Sequence, residues 1–273
     1  MSDLGEIAGP LLIFGGPCSN LQATTAVRAE AAMLGIPPER CVCTGDVTAY
    51  CANPRETVAL VREWGCHVVM GNCEENLAND AGDCGCGFAE GTACDVLARE
   101  WYAHASSLIG ADDRAWMGRL PRRISFRCGT QRVVVIHGAV DTINRYVFAS
   151  SPEADKLEQA TRANADIIIG GHSGIPFTQR LADGRIWHNA GIIGIPANDG
   201  ATDTWYSLMH SEGGAIRFEH RRLAYDFQSA AAAMREAHLA DGYALALETG
   251  IWPSLDILPA KERGETGLPL AIA

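Results

Sequence analysis

A short apolar run that stops at a polar or glycine-rich loop recurs five times between Leu11 and His172, and this repeat constrains the fold more than any other feature of the chain. Leu11–Phe14 ends at Gly15-Gly16-Pro17, Cys41–Cys43 leads to Gly45-Asp46, and His67–Met70 stops at Gly71-Asn72. Val133–Ile136 ends at His137-Gly138 and Ile167–Ile169 at Gly170-Gly171-His172. The runs are too short for helices and read as buried strands. Helical patterns lie between them. Asn20 is placed to cap a helix from Leu21 to Leu34 that Gly35 closes, Asn53-Pro54 starts one with Val58, Val61 and Trp64 on one face, and Ser151-Pro152 starts a third that ends near Ala163. Strands joined through helices pair in parallel, and in open α/β sheets a ligand sits beyond their carboxyl ends. The five loops are therefore expected to converge.

After Gly174 the texture changes to hairpins, with Phe177–Leu181 and Arg185–Trp187 flanking Asp183-Gly184, and Trp205–His210 and Ile216–His220 flanking Gly213-Gly214. The main domain is expected to span residues 1–226. An alanine-rich helix begins near Phe227, and residues 227–273 are expected to pack on the body or on a second subunit, which leaves a homo-oligomer open. The stretch 75–121 interrupts the alternation with Asp83-Cys84-Gly85-Cys86-Gly87 and two helices, near Asp95–Leu108 and Asp112–Met117. Its place directly after Asn72 suits a cap over the site.

Composition narrows the function. Hydrophobic residues make up 47% of the 273 and charged residues 20%, enough for a sizeable core. A net charge of −11 would repel a phosphate backbone, so nucleic acid is not an expected partner. Arg114, Arg119, Arg122, Arg123, Arg127 and Arg132 form the one basic concentration and read as a solvated face. The acidic start, Met1 to Ala8, lacks the basic region of a signal peptide, and no run approaches the ~18 apolar residues that cross a bilayer. The expectation is a cytoplasmic protein with no membrane partner. The ten cysteines are then read as reduced, where clusters bind metal or do redox chemistry more often than they form disulfides.

Asp46, Asn72, His137 and His172, each beside a glycine at a strand end, resemble in order and type the motifs of the calcineurin-like metallophosphoesterase superfamily, in its small bacterial phosphodiesterase-like branch. Asn189-Ala190-Gly191 is similar to that branch's Asn-Pro-Gly turn. The resemblance implies an α/β fold, a four-layer α/β/β/α sandwich with a helical cap insertion, carrying two metals that a shared carboxylate bridges. It places Asp46 on that carboxylate and Asn72, His137 and His172 on the second metal. For the first metal the family has an Asp-x-His pair and another His, where this chain has Gly16-Pro17-Cys18 and Gly174. One divalent transition metal, Mn, Fe or Zn, is therefore expected. Cys73 stands where the family has a catalytic His, and Arg145 is a candidate phosphate contact. Cys18 reads as a filler of vacated space.

Plainer readings stand beside these. Asp46 and Asn72 suit turn caps, and Cys73, Cys84, Cys86 and Cys94 lack paired C-x-x-C spacing, so a glycine-rich loop with free thiols competes with a closed metal site. Arg145 equally suits the surface. For function, a hydrolase of a small phosphate ester or phosphodiester leads. A scaffold that has kept the fold and lost hydrolysis, as the retromer subunit of this fold has, comes second. Asp46, His137 and His172 also make a two-His-one-carboxylate set, so a mononuclear non-haem iron enzyme is third.

Overall fold

In the computed structural model, which describes residues 2–212 and 215–272, the strands form two sheets. In chain order the strands are β1 (Ser2–Glu6), β2 (Leu11–Phe14), β3 (Cys41–Cys43), β4 (His67–Val68), β5 (Ile124–Cys128), β6 (Gln131–Val135), β7 (Ile167–Gly170), β8 (Phe177–Arg180), β9 (Ile186–Asn189), β10 (Thr204–Glu212) and β11 (Ala215–Leu223). One sheet runs β11-β10-β2-β3-β4, with β2, β3 and β4 parallel. The other runs β1-β5-β6-β7-β9-β8, with β6, β7 and β9 parallel. The five apolar runs thus divide between two sheets, and their loops meet from both.

Why these runs are apolar throughout follows from the layering. Successive strand residues face opposite ways, and here both faces are covered. Leu11, Ile13 and Val42 from one sheet meet Val133, Val135, Ile167 and Ile169 from the other in a shared inner core. Leu12, Phe14, Cys41 and Cys43 point outward, toward α1 (Leu21–Met33) and α2 (Pro54–Trp64). The helices of the middle segment are α3 (Asn72–Ala78), α4 (Ala93–Leu108) and α5 (Ala111–Met117). Val134, Ile136 and Ile168 face α6 (Glu153–Ala163) on the far side. The order of layers is helix, sheet, sheet, helix, the α/β sandwich expected.

Local chemistry sets the helix ends. Asn20 Oδ1 accepts the Ala23 N–H at 3.0 Å, Pro54 opens α2 where no backbone donor is needed, and Gly65, with φ of 75°, closes it. The C-terminal helices α7 (Phe227–Glu236) and α8 (Asp241–Thr249) put Ala231, Met234, Ala244 and Leu247 into the core that holds Val27 of α1. Ala98, Trp101 and Met117 of α4 and α5 join the same core, so much of the stretch 75–121 thickens the outer helical layer. The Gly213-Gly214 turn lies outside the described residues, but β10 and β11 on either side of it pair antiparallel. Strands β1 and β5 were not among the runs read from the sequence: β1 is an edge strand, largely exposed, with no apolar run. No described helix is long and apolar enough to cross a membrane.

Candidate metal centre

The four residues singled out at strand ends come together. His137 Nε2 lies 3.0 Å from Asn72 Oδ1, 3.0 Å from His172 Nδ1 and 3.2 Å from Asp46 Oδ2. His172 Nδ1 is 3.9 Å from Asp46 Oδ2, and one donor atom each of Asp46, His137 and His172 fall within 4.8 Å of one another. Asp46 and Asn72 follow strands of one sheet and His137 and His172 follow strands of the other. Both sheets thus deliver two candidate ligands to the seam between them.

The loops are shaped to allow this. Asp46 and His172 sit in left-handed backbone, φ 54° and 61°, an uncommon state for residues with a Cβ and one that concentrates at functional sites. Gly45 precedes Asp46 because a Cβ there would lie 2.8 Å from both His137 Nδ1 and the Gly71 nitrogen. Asn189 ties the His172 loop down, donating to the Gly171 carbonyl at 3.0 Å and meeting Ser173 Oγ at 2.9 Å.

The hydrogen-bond directions decide what the cluster can hold. The Thr44 carbonyl, 2.6 Å from His137 Nδ1, can only accept, so Nδ1 carries a proton and Nε2 of the neutral ring presents a lone pair. Asn72 Nδ2 donates to the Cys84 carbonyl at 2.9 Å, which turns Oδ1 toward that lone pair. The Asp46 carboxylate adds a third. Three acceptors facing one another repel unless a proton or a cation sits between them. Donors about 2.1 Å from a shared ion lie about 3.0 to 3.4 Å apart in octahedral or tetrahedral arrangements, which matches three of the four spacings. The residues present fit a divalent ion.

Electrostatics agree. Burial pushes the Asp46 carboxyl up, but the two imidazoles outweigh it and hold the group far below the usual carboxylate range. Burial disfavours charge on His137, yet the Asp46 carboxylate raises its pKa above the ordinary value. Burial keeps His172 below the ordinary value and therefore neutral.

The sequence reading passed over Glu74. Its buried carboxylate accepts the backbone N–H groups of Gly71 at 2.9 Å, Asp46 at 2.8 Å and Thr48 at 3.3 Å, binding two ligand loops together. Burial first and the Asp46 charge second push it up to about 7. The signal was present: a Glu in the first turn after Gly71 has the spacing of a helix-capping carboxylate. Tyr146, also missed, stacks on His172 with ring centres 4.1 Å apart.

Cys73 is brought to the cluster but not as an open nucleophile. Its backbone N–H donates to Asp46 Oδ1 at 3.3 Å, and its buried thiol is pushed well up, by desolvation first and then by Asp46, so it stays protonated. Arg145 is not brought to the cluster. Its guanidinium pairs with Asp155 at 2.8 Å and lines a separate cavity with Lys156 and Trp187, because the turn after His137 sends its side chain toward α6. Both readings of the four cysteines near the cap, free thiols and a shared metal site, are corrected: Cys84 and Cys86 are bonded to each other, Cys73 and Cys94 are free, and Cys94 lies apart, on α4.

The other pole is apolar, and Gly174, Ile192 and Trp252 line with His172 a small cavity of about 30 Å³. A Cβ on Gly16 would lie 2.8 Å from Ile192 Cγ2 and 2.9 Å from Cys18 Sγ, and one on Gly174 would lie 3.2 Å from both Ile192 Cδ1 and the Trp252 ring. Trp252 is fixed there by its Nε1–H, which donates to the Pro196 carbonyl at 2.6 Å. Cys18 is buried and its thiol is raised well above its usual value, mainly by desolvation, so it is a protonated neighbour of the cluster.

Residues 20–213 match the calcineurin-like phosphoesterase superfamily domain. The chain belongs to that superfamily. A relative from Methanocaldococcus jannaschii, named as an uncharacterised protein, is 27% identical over 229 residues, 78% of this chain and 86% of its own. Among solved structures, a metallophosphoesterase from Sphaerobacter thermophilus covers 90% of this chain and 100% of its own at 21% identity and a TM-score of 0.68. A hypothetical protein from Pyrococcus horikoshii covers 89% and 99% at 14% identity and a TM-score of 0.74. These two similarities establish the fold. Membership of the metallophosphoesterases implies divalent metal binding, which the donor set above accommodates.

Proposed function

We propose that this chain is a metal-dependent phosphoric ester hydrolase that works with one divalent transition metal, Mn, Fe or Zn, held by Asp46, Asn72, His137 and His172. The observation that carries this is the convergence of three lone pairs, on Asp46 Oδ2, Asn72 Oδ1 and His137 Nε2, in directions fixed by the Thr44 and Cys84 carbonyls. A bound ion would supply Lewis acidity toward a phosphoryl oxygen and lower the pKa of water beside it.

The chain's own residues do the rest. Thr44 holds His137 in the tautomer that leaves Nε2 free. Glu74 holds the Asp46 and Asn72 loops at one spacing. Cys73 steadies Asp46 through its backbone N–H and keeps a thiol proton. Tyr146, stacked on His172, limits water around the ligands. The substrate expected is a small phosphate ester, since the cluster is largely buried and the net charge of −11 disfavours a polyanion.

A second reading is supported by the apolar pole. With Ile192 and Trp252 where the family has first-metal ligands, the chain would bind one ion and serve as a scaffold without turnover. One experiment separates the two. Protein purified without added metal is analysed for metal and then assayed on an aryl phosphodiester. One Mn, Fe or Zn per chain with turnover supports the hydrolase, and one ion without turnover supports the scaffold. Iron with oxygen uptake and no ester hydrolysis would instead favour a mononuclear iron enzyme.

A further inference from the structure

The Cys84-Gly85-Cys86 turn is a chemically reactive feature that the hydrolase reading leaves unused. Its two sulfurs are bonded to each other, whereas the other eight cysteines are free. A bond between residues two apart closes a loop too small to restrict the unfolded chain much, so stapling the fold is not its main contribution. Its position is more telling. The Cys84 carbonyl is the acceptor that orients the Asn72 amide, at 2.9 Å, and Cys86 Sγ lies 3.4 Å from the same Asn72 nitrogen.

The turn is also held from outside. Asn144 donates to the Gly85 carbonyl at 2.8 Å, and Asn76 donates to the Asp83 carbonyl at 2.9 Å. Cys84, Cys86, Phe88, Arg99 and Asn144 line an open cavity of about 610 Å³, roomy enough for a small thiol. The bonded pair thus lies between a solvent-facing cavity on one side and a metal-ligand amide on the other.

We propose that Cys84–Cys86 is a thiol-exchange site, opened by a small thiol reductant entering through this cavity, and that opening it frees the Asn72 amide and weakens metal binding. The proposal rests on the metal reading of Asp46, Asn72, His137 and His172. In the first step a reductant thiolate attacks one cysteine sulfur, the S–S bond breaks, and the electron pair leaves on the other sulfur, which takes a proton from water. A second reductant thiolate then attacks the reductant sulfur of the resulting mixed disulfide. The bond to the cysteine breaks with its electron pair left on the cysteine sulfur, which takes a proton from water, and the two reductant sulfurs depart as a disulfide. The protein gains two electrons and two protons, and the reductant loses them.

Closed, the turn presents its carbonyl at one place, and the amide answers with Oδ1 toward His137. Open, Cys84 and Cys86 no longer hold each other, the carbonyl loses its fixed position, and the amide can rotate to offer its NH₂ to the ion. Loss of such an outer partner typically weakens metal binding about 10- to 100-fold.

The test is a Mn²⁺ titration, followed by the electron paramagnetic resonance of the free ion, on the full chain in two forms. Mn²⁺ is used because thiolates bind it poorly. One form is oxidised. The other is reduced with dithiothreitol and desalted without oxygen. Thiol counts on denatured protein should be eight and ten, the number of free cysteines and the total. Reduction should raise the Mn²⁺ Kd about tenfold, and mild peroxide should restore it. Cys84→Ser with Cys86→Ser should bind like the reduced form and ignore reductant. Equal affinity of the two forms overturns the proposal, as does a double variant that binds as tightly as oxidised protein, or ten thiols before and after peroxide. Failure of both forms to bind Mn²⁺ removes the metal reading itself, and the proposal with it.

Discussion

Two neighbouring regions of this molecule, both built from loops at strand ends, have opposite character. At one, Asp46, Asn72, His137 and His172 point lone pairs at a common centre, with Glu74 and the Thr44 and Cys84 carbonyls holding them in place. At the other, Gly16, Cys18 and Gly174 offer one protonated thiol, and the apolar side chains of Ile192 and Trp252 lie against the two glycines. The difference shows that two strand-end loop clusters in one fold can be lined in opposite ways, one by convergent polar atoms and one by apolar side chains around a cavity of only about 30 Å³. Apolar side chains line the second pole, while the candidate ligands at the first keep their hydrogen-bonded supports.

The strongest way to break the comparison is to damage the polar pole. His172→Ala removes a donor that no neighbour replaces, and it should lower metal affinity by at least about 100-fold, beyond the usual effect of losing an outer partner. Elemental analysis after dialysis should find the variant empty. Retention of metal would place the ion elsewhere.

A smaller effect is expected from Glu74→Gln. The amide keeps one acceptor but turns an NH₂ toward a backbone N–H of Asp46 or Thr48, a buried donor facing a donor, at a cost of about 1–3 kcal/mol. Metal affinity should fall about 10-fold and the apo protein should melt earlier, measured by calorimetry and metal titration. Unchanged values would reduce Glu74 to a passive core residue.

The pH dependence should be about tenfold in affinity per unit where a single proton competes with the metal. The His137 pKa is raised in the folded apo protein. Its protonation therefore stabilises the apo fold fully below the unfolded value near 6.5, and that contribution fades as pH rises through the folded value. Metal binding needs the deprotonated Nε2, so affinity should climb over the same window. Apo stability and metal affinity should move in opposite directions with pH, and parallel trends would contradict the assignment of His137.

The smallest effect is expected at the apolar pole. Gly16→Asp with Cys18→His and Gly174→His restores the family's donors on paper, yet metal content should stay at one ion per chain, because the new side chains meet Ile192 and Trp252. Cys18→Ala should leave content unchanged as well. Two ions in the triple variant, by elemental analysis, would show that the apolar packing yields and would dissolve the contrast.

How far the sequence foretold this differs between the two poles. The ligand loops were legible because a chemically distinctive residue beside a glycine, at the end of an apolar run, has few alternatives in a layered α/β fold. The helical pattern of α1, α2 and α6 was equally plain, since caps and prolines mark their starts. Glu74 was harder, because a Glu in a first helical turn more often caps its own helix than bridges to another loop. Arg145 misled, because its spacing from His137 says nothing about which way the turn sends the side chain. Trp252 was invisible as a neighbour of Gly174, since 78 residues separate them and only tertiary packing brings them together.

That last contact bears on how such a chain can change over time. Once Trp252 rests on Gly174, any mutation that gives residue 174 a side chain is penalised before it can help, and trimming Trp252 first exposes an apolar wall with nothing to fill it. Each step is harmful alone and useful only with the other. On the one-metal reading proposed above, residues 174 and 252 would have to change together, so a donor at position 174 is out of reach of single substitutions.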